Sequence, residues 1–197
     1  MKVRIERSRQ LYKGFLTLEE TYLRHETPDG GMSPQIMRLN VERGDGAAVL
    51  VVNREKGTVV LTRQFRYANW KRGDGGASLE IPAGTVRPGE SPEDVARSEL
   101  LQETGYDVAD LRPLFTFYAS PGTSTERVFL YYAEVAGDHK VSDGGGLDSE
   151  HEYIEVVEMP IDEALELLDG GRVADAKTII ALQWFRDRIP ESMRANA

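Results

Sequence analysis

The chain has 197 residues, of which 40% are hydrophobic and 29% charged, and its formal net charge at pH 7 is −9. These values are typical of a globular protein with one domain, or one domain and a smaller arm. A negative chain argues against nucleic acid and anionic membranes as partners, because proteins that bind them usually carry positive surfaces. The absence of cysteine excludes disulfides and thiolate metal sites. No apolar signal or membrane-spanning run is visible, so we expect a cytoplasmic protein.

The N-terminal region alternates polar and apolar residues in short runs, which predicts β-strands. Strands are expected at 2–8, 14–24 and 35–41. Together they form a predicted β arm of residues 1–44, which is too small to have a core of its own. We therefore expect the arm to dock on the main domain, residues 45–197, or on a partner subunit.

The main domain combines further strands with helices. Strands are expected at 47–52, 58–65, 78–81, 111–118, 127–135 and 153–157, and helices at 92–104, 161–169 and 174–187. This order indicates an α+β protein whose helices pack outside a mixed sheet. The loop 137–147 is rich in glycine and aspartate and is expected to be mobile. A loop of this length in a compact domain is often functional.

The helix predicted at 92–104 carries two acids on one face. Ser91 is a typical N-cap, and Gly105 is a typical residue for a helix end. Glu99 and Glu103 are four residues apart, where like charges cost a helix about 0.2–0.5 kcal/mol. A divalent cation would remove this repulsion, so both acids are candidate metal ligands. The alternative is an acidic face that is simply solvated.

This segment resembles the Nudix box, which spaces a glycine, a glutamate and an Arg-Glu-x-x-Glu-Glu-x-Gly pattern at fixed intervals. The positions in register are Gly84, Glu90, Glu99, Leu100, Glu103, Gly105 and Tyr106. Two positions depart, because Ser98 stands for the box arginine and Gln102 for the first acid of the Glu-Glu pair. Arg97 is adjacent, but one residue turns a side chain about 100° round a helix, so it is not a simple substitute.

The resemblance is to the branch of the Nudix family that acts on ADP-ribose, GDP-mannose and related nucleoside diphosphate sugars. It implies an α/β/α sandwich with a mixed sheet and hydrolysis of the pyrophosphate bond to a nucleoside monophosphate and a sugar phosphate. It also implies Mg²⁺ as cofactor, with Mn²⁺ as an alternative, and a homodimer with exchanged N-terminal arms that complete the partner's site. The other functions considered are a non-catalytic Nudix module that senses a nucleotide, which Ser98 and Gln102 favour, and a dinucleoside polyphosphate hydrolase.

A second acidic cluster follows the long glycine-rich loop. If the chain there is extended, Glu150 and Glu152 point the same way. A carboxylate on a mobile loop can act as general base for a metal-bound water. With the family resemblance, Glu152 is the first candidate for this base and for metal contact, and Glu150 the second. The resemblance also implies that Ala83 offers its backbone carbonyl to a metal. A solvated charge run is the alternative for the cluster.

Basic and aromatic residues near the end of the strand 58–65 are candidates for binding the substrate. Guanidinium groups bind phosphate oxygens bidentately, which suggests Arg63 and Arg66, and the resemblance favours Arg66. Trp70 could stack on a base or sugar. The resemblance implies that Glu126 contacts the ribose or sugar, although a solvated acid at a strand start is the alternative. Asn69 and Trp70 with the glycine-rich insert that follows them, and the stretch 175–178, Asp-Ala-Lys-Thr, resemble the GDP-mannose side of the branch.

Overall fold

The computed structural model describes residues 1–147, 149 and 151–189, and it places the first three strands in a sheet of their own. The chain divides into two units. The first contains Met1–Asp45 and Phe117–Arg127, and the second contains Gly46–Thr116 and the described residues from Val128 onward. The sequence-based boundary had left Phe117–Arg127 in the main domain. The dimerisation role expected of residues 1–44 stays a prediction.

The sheet of the first unit is antiparallel, in the order β1-β2-β3. Its strands are β1 (Val3–Lys13), β2 (Thr17–His25) and β3 (Ile36–Glu42). Cross-strand ion pairs join the first two strands: Arg9 Nε lies 2.7 Å from Glu20 Oε1, and Arg24 Nε lies 2.7 Å from Glu6 Oε1. All 11 residues of β1 are exposed. The three predicted strands are confirmed, although β1 extends well beyond the predicted end.

The second sheet has seven strands and is mixed. They are β4 (Asp45–Asn53), β5 (Thr58–Phe65), β6 (Ala77–Glu80), β7 (Ala83–Val86), β8 (Arg112–Tyr118), β9 (Arg127–Val135) and β10 (Glu155–Pro160). Their order is β10-β5-β4-β9-β8, with β6 beside β5 and β7 beside β4. Strand β4 runs parallel to β9 and antiparallel to β5. The predicted α+β class with a mixed sheet is therefore confirmed.

The helices are α1 (Tyr67–Arg72), α2 (Pro92–Thr104), α3 (Ile161–Asp169) and α4 (Ala176–Arg186). Helix α2 has the predicted bounds, with Ser91 at the N-cap and Gly105 in the left-handed conformation at its end (φ 76°). The sequence prediction missed α1 and β7, which are short elements of six and four residues. It also started β10 two residues too early. Within the described ranges, none of the helices combines the length and apolarity needed to cross a bilayer.

Strand β4 lies at the centre of the main core and is buried on both faces. Ala47, Val49 and Val51 pack in one cluster with Val95 and Leu100 of α2. The alternate residues of the strand point to the opposite face of the sheet and are equally inaccessible to solvent. This packing fixes α2 against the sheet, and α2 also contacts β7. The acids of α2 are thereby held beside the segment that joins β6 to β7.

Candidate active site

Two contacts shape the segment that runs from β7 through the following loop to α2. The carboxylate of Glu99 lies directly over the main chain of Gly84, where a Cβ atom would come within 1.8 Å of Glu99 Oε1. Any other residue at position 84 would displace that carboxylate, so the site requires glycine there. Glu90 closes the loop, because its Oε2 accepts the backbone N–H of Arg87 at 2.8 Å. Glu90 therefore holds the loop.

Glu103 is buried next to this loop, with only 2% of its surface exposed. Its Oε2 accepts the backbone N–H of Ala83 at 3.2 Å. Burial, and then the negative charge of Glu99, raise the pKa of Glu103 to about 8, and the charge of Glu152 contributes in the same direction. The structure thus brings the predicted metal ligands Glu99, Glu103, Glu152 and Ala83 into one neighbourhood.

The chemistry of these donors fits a hard divalent cation. Carboxylate and carbonyl oxygens are the ligands that Mg²⁺ prefers, and a cation would offset the repulsion that raises the pKa of Glu103. Among residues 1–147, 149 and 151–189, no three His, Cys, Asp or Glu side chains are grouped so that they could hold a metal ion by themselves. Mg²⁺ commonly takes only one or two carboxylates and completes its shell with water and substrate phosphates. The site therefore fits a cation that is shared between protein and substrate.

The glycine-rich loop before Glu152 is attached to the end of α2. Gly145 N–H donates to Glu103 O at 2.9 Å, and Gly146 N–H donates to Gln102 O at 3.1 Å. The loop was expected to be mobile, but these hydrogen bonds tie it to the helix that carries Glu99 and Glu103. The loop and the metal-ligand candidates are therefore one structural assembly.

The Glu152 side chain is held by the end of the same loop. Its Oε2 accepts the backbone N–H of Leu147 at 3.2 Å, and its own N–H donates to Leu147 O at 3.3 Å. The neighbouring His151 has a left-handed backbone (φ 56°), so the chain turns here, and the extended conformation on which the common direction of Glu150 and Glu152 depended is not present at this residue. Glu150, the second candidate for the base, lies outside the described residues.

Sequence reasoning missed a buried carboxylate, Glu80, which is 3% exposed at the end of β6. Arg66 donates to both of its oxygens, from Nε at 2.9 Å and from Nη2 at 3.0 Å, and Lys177 Nζ lies 2.5 Å from Oε2. Burial alone would raise the pKa of Glu80, but the hydrogen bonds from Arg66 and the charge of Lys177 outweigh it and lower the pKa to about 2. The Arg66 guanidinium is thus oriented by a fixed, ionised partner.

The start of α4 completes this network. Asp175 accepts Lys177 Nζ at 2.8 Å and the backbone N–H of Thr178 at 2.9 Å. Thr178 Oγ1 in turn accepts the backbone N–H of Ile81 at 2.8 Å. Glu80 and Lys177 are 97 residues apart, so no local spacing could reveal their pairing. The only signal in the sequence was the polar stretch 175–178.

The other predicted substrate-binding residues lie in different surroundings. Arg63 donates to both oxygens of Glu155, its cross-strand neighbour, at 2.9 and 2.7 Å. Trp70 is exposed on α1 and stacks on Tyr67 with a ring separation of 5.8 Å. Glu126 belongs to the first unit, where it pairs with Arg43 at 3.5 Å. The substrate contacts predicted for Arg63, Trp70 and Glu126 stay predictions.

Ser98 and Gln102, the two departures from the Nudix box, are hydrogen-bonded to each other. Gln102 Nε2 donates to Ser98 Oγ at 2.9 Å, which makes a neutral pair on the exposed side of α2. Arg97 points elsewhere, as the rotation about the helix predicts, and donates to Val108 O at 2.7 Å and to Glu93 Oε1 at 2.8 Å. The departures therefore leave Glu99 and Glu103 in place.

The NUDIX domain model matches residues 42–182, well over half of the chain. The chain belongs to the NUDIX family. Three similar proteins are each named GDP-mannose pyrophosphatase. The protein from Yersinia enterocolitica is 42% identical over 187 residues, which are 93% of this chain and 96% of the relative. That from Pectobacterium atrosepticum is 44% identical over 156 residues, 79% of each chain.

The third relative, from Yersinia pestis, is 44% identical over 157 residues, which are 79% of this chain and 78% of the relative. The resemblance drawn from the box is confirmed. NUDIX hydrolases generally need a divalent cation, and the oxygen donors around Glu103 are suited to hold one.

Proposed function

We propose that this NUDIX protein hydrolyses the pyrophosphate bond of a nucleoside diphosphate sugar with Mg²⁺ as its cation. The observation that carries the proposal is Glu103, a buried carboxyl beside Glu99 whose pKa is raised to about 8. An arrangement that gathers like charges in a protein interior suits a site that receives a cation from outside. The name of the relatives from Yersinia and Pectobacterium makes GDP-mannose the first substrate to test.

The reaction assigns a role to each group. When bound, Mg²⁺ supplies a Lewis acid that polarises a phosphate oxygen and lowers the pKa of a bound water. Glu99, Glu103 and the Ala83 carbonyl would hold the cation, and Glu152 takes the proton of the attacking water. The water oxygen bonds to one phosphorus as the bond from that phosphorus to the bridging oxygen breaks. The bridging oxygen leaves on the other phosphate, which gives a nucleoside monophosphate and a sugar phosphate.

Arg66 is suited to bind the substrate's phosphates while it remains paired with Glu80. Two of its five N–H groups bond to Glu80, and 41% of its side chain is exposed, so further N–H groups can meet an anion. The charge of Arg66 also reaches Glu103, where it favours the ionised form. A phosphate that lies beside both Arg66 and Glu103 would contact the positive charge of Arg66 and the bound cation.

We also propose that the active form is a homodimer in which the N-terminal arms are exchanged. The arm presents an unusually long exposed edge strand, β1, and exposed apolar residues. Such edges and patches usually pair with another chain. The exposed apolar residues of the arm are Val3, Ile5, Leu11, Tyr12 and Phe15. Light scattering should give twice the 22.0 kDa of one chain, and a monomer mass at micromolar concentration would contradict the proposal.

The activity is tested by incubating the protein with GDP-mannose and following both products by chromatography, with and without Mg²⁺. ADP-ribose and a dinucleoside tetraphosphate serve as comparison substrates. We expect a nucleoside monophosphate and a sugar phosphate only when a divalent cation is present. Tight binding of GDP-mannose without turnover would favour the non-catalytic sensing module that the Ser98 and Gln102 departures suggest.

A further inference from the structure

Three consecutive glycines precede the Glu152 segment and lie against the C-terminal end of α2. Gly144, Gly145 and Gly146 all have left-handed backbones, with φ of 73°, 106° and 83°. A side chain at any of them would meet the same kind of backbone strain. Their surroundings differ, however. At one of these positions a side chain would only strain the backbone, whereas at another it would also collide with neighbouring atoms.

Gly146 leaves room for the Glu152 side chain. A Cβ atom at position 146 would lie 2.7 Å from both Cβ and Oε2 of Glu152, closer than real Cβ contacts allow. The backbone at this point is fixed, because Gly146 N–H donates to Gln102 O of α2 at 3.1 Å. The next amide, Leu147 N–H, donates to the same Oε2 at 3.2 Å. The Glu152 carboxylate therefore occupies the space that a side chain at 146 would fill.

Gly145 has no such contact. A Cβ atom there would meet only Ile154 O, at an ordinary distance of 3.6 Å. Its backbone hydrogen bonds, from its N–H to Glu103 O at 2.9 Å and from Ile154 N–H to its carbonyl at 3.2 Å, would be kept by alanine. Replacing Gly145 by alanine thus imposes the backbone strain alone, and this makes Gly145 a matched control for Gly146.

We propose that Gly146 is the positioning residue for Glu152: it leaves the space in which the Leu147 amide holds Oε2 and keeps Oε1 for the attacking water or the cation. This inference rests on the role of Glu152 in the proposed function. The charge of Glu152 helps to raise the pKa of Glu103, which agrees with a carboxylate held close to the metal-ligand candidates.

The test compares Gly146→Ala with Gly145→Ala in kcat, KM and pH profile on GDP-mannose with Mg²⁺. Small displacements of a reacting group can lower rates by up to about 100-fold, so we expect kcat to fall roughly 10- to 100-fold in Gly146→Ala with KM nearly unchanged. The pH profile of kcat should also change in Gly146→Ala. Gly145→Ala should keep the kcat and the pH profile of the wild type. Equal kcat values in the two variants would overturn the inference.

Glu152→Gln separates this inference from the proposed function. If Glu152→Gln is slow, adding Gly146→Ala to it should cause no further loss of kcat, whereas a further loss equal to that in the wild-type background would overturn the positioning role. If Glu152→Gln turns over like the wild type, Glu152 is not the base, and the inference falls with that assignment.

The crowding itself can also be measured if Gly146→Ala is too unstable to assay. In the double variant Gly146→Ala/Glu152→Gly, the new methyl group meets no side chain at position 152. Ile154 Cδ1 would still lie 3.1 Å from the new Cβ atom, so the melting temperature should rise above that of Gly146→Ala, toward that of Gly145→Ala/Glu152→Gly. A melting temperature that stays as low as that of Gly146→Ala would overturn the inference.

Discussion

Two buried glutamates of the second unit, Glu80 and Glu103, lie beside the same short segment, and their pKa values shift in opposite directions. Glu80 is 3% exposed and Glu103 is 2% exposed. The pKa of Glu80 falls to about 2 because Arg66 and Lys177 more than offset its burial, whereas burial and Glu99 raise the pKa of Glu103 to about 8. Glu80 is paired with two cations of the chain itself, Arg66 and Lys177, so its carboxylate has a structural role. Glu103 lies beside further carboxylates, so the proposed function requires a cation from solution there.

The Glu103 arrangement carries a real energetic cost. A change of one pKa unit corresponds to about 1.4 kcal/mol. Ionising Glu103 in the metal-free protein therefore costs on the order of several kcal/mol more than ionising it in the unfolded chain. Protein interiors seldom keep such a cost without a functional reason. The following predictions test this contrast, beginning with the largest expected effect.

Glu103→Gln should lower kcat on GDP-mannose by roughly 10²- to 10³-fold, because it removes a metal-ligand candidate and the transition-state charge stabilisation that depends on it. Glutamine matches the size of the protonated Glu103 side chain of the metal-free protein, so the fold should be kept. Steady-state kinetics and circular dichroism check both statements. Asp94→Asn, on the exposed first turn of the same helix, is the control. Wild-type turnover in Glu103→Gln would remove the metal assignment.

Glu80→Gln should instead act mainly on stability. It leaves Arg66 and Lys177 without their shared partner, and removing one partner of a buried ion pair costs about 3–5 kcal/mol. Because Arg66 is partly exposed, we expect about 2–4 kcal/mol in the free energy of unfolding measured with urea. The control is Glu155→Gln, which removes the exposed pair with Arg63 and should cost less than about 1 kcal/mol. Equal losses in the two variants would contradict the structural role of Glu80.

The stabilisation by Mg²⁺ should grow with pH. The pKa of Glu103 is raised to about 8 from 4.5, so the metal-free protein holds a proton there that the unfolded chain releases, and stability is lost as pH rises toward 8. Glu80, with its pKa lowered to about 2, loses its contribution only in acid, below this window. Melting curves at pH 6 and pH 8.5, each with Mg²⁺ and with EDTA, measure the effect. A Mg²⁺ shift that is equal at both pH values, or unchanged in Glu103→Gln, would contradict the account.

Gln102→Ala should have the smallest effect. The Ser98–Gln102 hydrogen bond lies on the exposed side of α2, where such pairs contribute less than about 0.5 kcal/mol. We therefore expect a small change in melting temperature and an unchanged Mg²⁺ concentration at half-maximal rate. A large change in that concentration would show that position 102 acts on the metal in spite of its lost charge.

The sequence was sufficient where structure is set by local signals. The bounds of α2 follow from Ser91, Pro92 and Gly105, and the pattern of acids within it identified the family. Helix α1 was missed because it has only six residues, none of which is buried, and so short a segment shows no helical periodicity. Strand β7 was missed because four residues around a glycine carry no periodicity.

The candidate site was predictable only in part, for a physical reason. Glu99 and Glu103 are close in sequence, so the helix period alone brings them together. Glu80 gave no recognisable signal in the sequence, because its partner Lys177 is brought to it only by the packing of α4. The crowding between Gly146 and Glu152 was equally hidden, since it depends on how the loop folds back on α2.

The central claim, that Glu99 and Glu103 hold a divalent cation, is tested most directly by titrating Mn²⁺ into the protein and following free Mn²⁺ by electron paramagnetic resonance. We expect binding to the wild type, displacement by Mg²⁺, and loss of that binding in the Glu99→Gln/Glu103→Gln double variant. Binding of Mn²⁺ to the double variant with wild-type affinity, or no binding to the wild type with substrate present, would contradict the account.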